Sequence, residues 1–251
     1  MSRASRRLLN LVFPDDCHAC GEALAEFSRV PVCSRCLSDP KPFAAEFYCL
    51  ACKTPFVNRA PLDETGHCTL CRLGVKGFDA VYTYGSYEGT LRSLVHLYKY
   101  GKMEPLAGHF GSLLALALPR ELAIDMVVPM PLHWWKRWQR GFNQAELLAR
   151  EIARRWRAPV RMVARRKKNT TAQAGLTNAK RRANVEGAFE VRGRLDGKHV
   201  LLVDDVMTTG ATASACARAL KRAGAARVTL LTLARTDRRT AVDSIRQGAH
   251  A

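Results

Sequence analysis

No stretch of this chain approaches the roughly 18 uninterrupted apolar residues that a membrane-spanning helix requires; the best candidate, around residues 113–118, has the length of a core helix segment. Membrane insertion is therefore not expected. At the start, Arg3, Arg6 and Arg7 precede apolar residues, but Asn10 interrupts the run before it reaches signal-peptide length, so the sequence predicts a cytoplasmic protein. Acidic residues are also scarce. Asp and Glu total 22 against 40 Lys and Arg, a formal charge of +18 over 251 residues. Residues 131–182 hold fifteen of the basic residues and only two acids, Glu146 and Glu151. A concentrated positive field attracts phosphate-bearing partners, either a small pyrophosphate substrate or a nucleic-acid backbone. The rest of the composition, 47% hydrophobic and 25% charged, is that of an ordinary globular chain.

Cysteine is confined almost wholly to one pattern. Eight of the nine cysteines form Cys-x2-Cys pairs, Cys17/Cys20, Cys33/Cys36, Cys49/Cys52 and Cys68/Cys71, while Cys216 stands alone and is read as helix packing. Each such turn brings two sulfurs to one point, and two turns complete the tetrahedral sulfur shell of a structural zinc ion. Disulfides are disfavoured in a reducing compartment. Taken in sequence order, the pairs give Cys17, Cys20, Cys33, Cys36 and Cys49, Cys52, Cys68, Cys71, with interleaved pairing left open. Two zinc ions would hold together residues 1–76, too few to build a core unaided.

From residue 77 the pattern changes. Residues 78–84 suggest an extended stretch, and Leu91, Leu94, Val95 and Tyr98 follow at helical spacing. Strands are then predicted at residues 125–130, 160–163, 199–206 and 228–233, with helices over 143–156 and 212–222. Near-continuous apolar strands separated by amphipathic helices imply an α/β fold, a doubly wound parallel sheet, over residues 77–240. Residues 165–187 carry seven basic residues and read as a flexible lid, since so long a loop is uncommon in a compact domain. Residues 241–251 read as a frayed tail.

The strand ending Val203-Asp204-Asp205-Val206-Met207 runs into Thr208-Thr209-Gly210-Ala211-Thr212 and a helix. Two carboxylates at a strand end can accept from sugar hydroxyls. A glycine turn with threonine hydroxyls at a helix N-terminus can cradle a phosphate. Together they describe a site for a ribose 5-phosphate. A plain helix cap accounts for a threonine but not for the two aspartates before it.

Residues 203–212 resemble the signature of type I phosphoribosyltransferases at every position. Nearly the whole chain is similar to the ComF family, associated with bacterial competence and DNA uptake. That similarity includes the double zinc ribbon, Tyr98-Lys99-Tyr100-Gly101, Pro129-Met130-Pro131-Leu132-His133, Arg140-Gly141-Phe142-Asn143-Gln144, and Gln173, Leu176, Arg181, Asn184 and Phe189. The resemblance implies a type I phosphoribosyltransferase-like fold that binds phosphoribosyl pyrophosphate (PRPP) with Mg²⁺. It puts Asp204 and Asp205 on the ribose hydroxyls, and Thr208, Thr209, Gly210 and Thr212 around the 5′-phosphate. It puts Arg140 and Gly141 in the pyrophosphate loop, and Lys168 and Arg166 among the closing cations. Phosphoribosyl transfer needs neutralisation of the departing pyrophosphate, but no residue identifies the acceptor. Two functions thus stand: a glycosyltransferase of the phosphoribosyltransferase class, or a non-catalytic accessory factor handling single-stranded DNA beside DNA-processing proteins. Trp134, Trp135 and Trp138 among Lys136, Arg137 and Arg140 suit base stacking and phosphate tracking, or equally an apolar cap over the site.

Overall fold

The computed structural model describes residues 15–25, 28–59, 61–74, 76–132, 138, 141–167 and 187–236. Its centre is a parallel sheet of four strands: β3 (Ala80–Ser86), β4 (Met126–Pro129), β7 (His199–Met207) and β8 (Arg227–Arg235), in the order β3-β8-β7-β4. The hairpin β1 (Phe47–Tyr48) and β2 (Pro55–Phe56) lies in the cysteine-rich segment, and β5 (Ala164–Arg166) pairs antiparallel with β6 (Phe189–Val191). The helices lying within the described residues are α1 (Ser34–Ser38), α2 (Thr69–Arg72), α3 (Gly89–Tyr100), α4 (Leu106–Ala117), α5 (Gln144–Trp156) and α6 (Ala211–Arg222).

Successive side chains of a strand point to opposite faces, so a strand covered on both sides is apolar throughout. In β7, Leu201 and Val203 enter a core with Leu94, Tyr98, Phe110, Leu148 and Ile152 of α3, α4 and α5. Val200 and Leu202 enter a second core with Cys216 and Leu220 of α6. The sheet is therefore wound on both faces, as the sequence predicts. Helix positions follow from ordinary local rules. Asn143 caps α5 by accepting from the Ala145 N–H at 3.2 Å, Glu146 lies in its first turn, and Arg154 and Arg155 lie in its last.

The cysteine-rich segment wraps the β3 edge of the sheet. Cys17, Leu24, Val32 and Cys36 join the core on the α3–α5 face, whereas Cys49, Cys52, Phe56 and Cys68 join the core on the α6 face. Between them the Phe43 N–H donates to the Tyr84 carbonyl of β3, and the Tyr84 hydroxyl donates to the Pro40 carbonyl at 2.7 Å. Covering an edge strand in this way removes a site of unwanted strand pairing.

Two stretches differ from the sequence reading. Residues 160–163 form no strand; Val160 makes a single parallel bridge to Val127, after which the chain leaves the β4 edge. Regular pairing resumes at Ala164–Arg166, so the first residues of the expected lid are strand. The cause is long-range: Ala164 and Phe189 are buried against the α6 core, an anchor 25 residues apart in sequence that local patterning does not reveal.

Candidate functional site

Strand β7 carries Asp204 and Asp205 to the carboxyl edge of the sheet, where α/β folds place their ligands. Alternation separates the two carboxylates. Asp205 is buried on the α3 side, where Lys99 Nζ lies 2.8 Å from its Oδ1. Burial opposes the charge on Lys99, yet the Asp205 carboxylate, with Asp204 behind it, holds its pKa above the ordinary lysine value. Asp204 is half-buried and shares its surroundings with Arg166 of β5 and Cys216 of α6. Burial pushes its carboxyl up to about 7, and the neighbouring Asp205 adds to this, while Lys99 and Arg166 pull it back. Desolvation likewise raises the Cys216 thiol and lowers Arg166, whose guanidinium sits 5.6 Å from the Phe189 ring centre.

Beyond the aspartates the chain turns sharply. Gly210 has φ 76° and ψ −1°, the left-handed region suited to glycine, and acts as the N-cap of α6. Thr209 Oγ1 accepts from the Ala211 N–H at 3.3 Å, Thr208 is exposed, and the first turn of α6 has no acidic residue. This leaves the positive end of a twelve-residue helix unneutralised beside two hydroxyls. A Cβ on Gly210 would come within 2.9 Å of Leu70 Cδ1, so the knuckle helix α2 packs against the turn.

The loop between β4 and α5 starts and ends at fixed points. Asn143 donates through Nδ2 to the Met130 carbonyl at 3.2 Å while it caps α5, tying the two ends together. The Tyr98 hydroxyl donates to the Gln144 carbonyl at 3.0 Å, and its ring meets Phe142 edge-on at 5.6 Å. Gly141, at φ 82°, lies in this loop. Arg140, Trp134, Trp135, Lys168, Gln173, Leu176, Arg181, Asn184 and the 241–251 tail lie outside the described residues. The structure thus gathers Asp204, Asp205, Val206, Met207, the 208–212 turn and Arg166 at one sheet edge. It adds Lys99, to which sequence reasoning gave no role. A lysine one residue after the last buried position of an amphipathic helix was the available signal.

The cysteines divide in sequence order, which closes the interleaved alternative. In each set, Cys17, Cys20, Cys33, Cys36 and Cys49, Cys52, Cys68, Cys71, the sulfurs lie within 4.8 Å of one another. The Cys20–Cys33 separation is 3.8 Å, Cys49–Cys71 is 3.6 Å, and Cys52–Cys68 and Cys68–Cys71 are 3.7 Å. A tetrahedron with metal–sulfur bonds of about 2.3 Å has edges of about 3.8 Å, so the donor set fits a four-coordinate ion. The main-chain N–H groups of Cys33 and Cys68 donate to Cys17 and Cys49 Sγ, both at 3.3 Å. None of the nine cysteines is in a disulfide.

Residues 141–247 match the phosphoribosyl transferase domain family. The chain is 29% identical over 214 residues to competence protein F of Haemophilus influenzae, covering 81% of this chain and 90% of that protein. It is 29% identical over 239 residues to the DNA utilization protein YhgH of Escherichia coli K12, covering 90% and 99%. It is 34% identical over 113 residues to competence protein ComFC of Bacillus subtilis, covering 44% and 45%. The chain is thus similar over most of its length to competence protein F and the DNA utilization protein YhgH, and its residues 141–247 carry a phosphoribosyl transferase domain.

Proposed function

We propose that the carboxyl edge of β7 binds the ribose 5-phosphate portion of PRPP. The observation that carries this is the junction itself: two aspartates at the end of a buried strand, followed by a left-handed glycine and the unneutralised N-terminus of α6. In this reading the 5′-phosphate sits on the Thr208–Thr212 turn. Asp204 accepts from the ribose hydroxyls, and Asp205, fixed by Lys99, completes the carboxylate pair. Arg140 and Gly141 serve the pyrophosphate from the β4–α5 loop, and Arg166 with Lys168 supplies positive charge from the β5 side. Mg²⁺ would supply bridging neutralisation of the pyrophosphate oxygens. In transfer, an acceptor nucleophile would supply the electron pair for a new bond to C1′ while the C1′–oxygen bond breaks and pyrophosphate leaves with its electron pair, and the cations would stabilise that departing charge.

Residues 1–76 are proposed as a double zinc ribbon and 77–240 as the phosphoribosyltransferase-like unit, in a cytoplasmic protein. Four thiolates per set leave no open position on the ion, so these metals serve structure. The names of the relatives favour a role beside DNA uptake or utilization. A second reading, single-stranded nucleic-acid handling, draws on Trp138, 72% exposed, and on α5, where Arg150 and Arg154, paired with Glu146 and Glu151, have side chains 61% and 71% exposed. No helix among the described residues is long and apolar enough to cross a membrane.

The test is calorimetric titration of PRPP with Mg²⁺ into the zinc-loaded chain and into Asp204→Asn. Binding that the variant loses supports the site. Heat of binding identical in the two proteins would remove Asp204 from it, and no binding at all would move the assignment to the nucleic-acid role.

A further inference from the structure

A cavity of about 130 Å³ lies where the second cysteine set meets the β7–α6 turn. The ribbon side contributes Phe56 and Leu70, and the α/β side contributes Phe78 and Met207. Arg235, the last residue of β8, lines it as well, and so do Thr208 and Thr209 of the phosphate turn. Neither set of neighbours closes this space alone; it exists because α2 packs onto Gly210.

Size and chemistry narrow the occupant. An apolar cavity of about 150 Å³ is known to accept benzene, so this one has room for a single six-membered ring and not for two fused rings. Two phenylalanine rings in the wall favour a flat aromatic guest, which stacks or packs edge-on against them. Arg235 supplies the polar requirement. It is 6% exposed, its guanidinium lies 4.1 Å above the centre of the Phe56 ring, and its Nη1 donates to the Pro55 carbonyl, so the charge is held in one orientation. A fixed planar cation beside two phenylalanine rings selects for an oxygen acceptor on the guest. Thr54, 4% exposed, also lines the cavity, with its hydroxyl held 3.0 Å from Cys52 Sγ. Apolar walls with a few convergent polar groups are the usual make-up of a small-molecule site.

We propose that this cavity binds a single planar six-membered ring bearing a carbonyl or carboxylate, with Arg235 taking the oxygen. Because Thr208 and Thr209 belong both to the cavity wall and to the phosphate turn, ring and PRPP occupy adjoining spaces. Only the link to PRPP rests on the function proposed above; ring binding does not.

The experiment uses the full zinc-loaded chain, with methyl resonances of Leu70 and Met207 followed while orotate, uracil and benzoate are added. Cyclohexanecarboxylate tests planarity and guanine tests size. Ligands this small have few contacts to offset the cost of association, so each titration extends to about 50 mM. The expected result is that at least one planar ring shifts both methyls, guanine and cyclohexanecarboxylate do not, and Arg235→Gln weakens the ring at least tenfold. Met207→Phe, which fills the cavity without removing the arginine, should abolish the shift of the Leu70 methyls if Arg235→Gln fails to fold. Absence of shifts from all three rings, shifts away from this cavity, or equal response to guanine would overturn the proposal. PRPP titrated into the same sample separates the two readings: ring binding without PRPP binding sinks only the ribose-phosphate site, and the reverse sinks only the cavity.

Discussion

Lys99 Nζ sits 2.8 Å from Asp205 Oδ1, with both side chains less than one-sixth exposed. The pair joins α3 to the end of β7 and fixes one of the two aspartates at the sheet edge. Buried ion pairs add little net stability relative to apolar substitutes, but removing one partner strands the other charge. Lys99→Met should therefore destabilise the chain by about 3 kcal/mol, the lower end of the buried range because both groups keep some solvent contact. Urea denaturation checks this, and Lys99→Met with Asp205→Leu should recover most of the loss. A single variant as stable as the parent would mean the pair is not formed.

Asp204 gives a pH dependence. Its carboxyl is pushed up to about 7 by burial and by Asp205, while Lys99 of α3 and Arg166 of β5 oppose the shift and the Cys216 thiol of α6 lies beside it. The folded value exceeds the ordinary carboxylate value of about 4, so folding favours the protonated form. That contribution to stability is complete below about pH 4 and is lost as the pH rises toward 7. Ligand binding runs the opposite way, since a carboxylate is the better acceptor for hydroxyl donors. PRPP affinity should rise between pH 6 and 8 by more than the titration of PRPP itself accounts for, and whatever weakened binding Asp204→Asn retains should lack that excess.

Gly210→Ala combines two costs at the phosphate turn. A left-handed conformation costs an alanine about 1–2 kcal/mol, and the new methyl meets Leu70 at 2.9 Å. The variant should show weakened PRPP binding together with lowered stability. Leu70→Ala in the same chain should relieve the contact but not the backbone strain, so recovery should be partial when both quantities are measured.

Metal removal should act at a distance. The proposed ions hold the knuckle helix α2, and Leu70 of α2 packs on the turn. Native mass spectrometry should find two zinc ions per chain. Chelation should then increase hydrogen exchange at residues 207–212 as well as in the ribbon. Exchange confined to the ribbon would show that the turn stands without its metal-held neighbour.

The cysteine spacing by itself determined four two-sulfur turns, because a Cys-x2-Cys turn is a local structure that needs no distant partner to bring its sulfurs together, whereas only the fold decided which turns share one set. The apolar run of β7, its two aspartates and the glycine turn were legible for the same reason: strand, turn and helix start are consecutive in the chain. Element edges shifted by a residue or two, and 160–163 misled because the choice between extending the sheet and forming a hairpin with β6 rests on a burial contact made by Phe189. Tertiary structure alone decided what lies beside the site. Alternation along β7 sent Asp204 and Asp205 to opposite faces, and only the packing of α3 gave Asp205 its lysine, 106 residues earlier in the chain. Wrapping of the ribbon around β3 brought Leu70 onto Gly210 and enclosed the cavity beside Arg235. Such pairings are fixed by burial across the whole fold, and a local pattern carries no record of them.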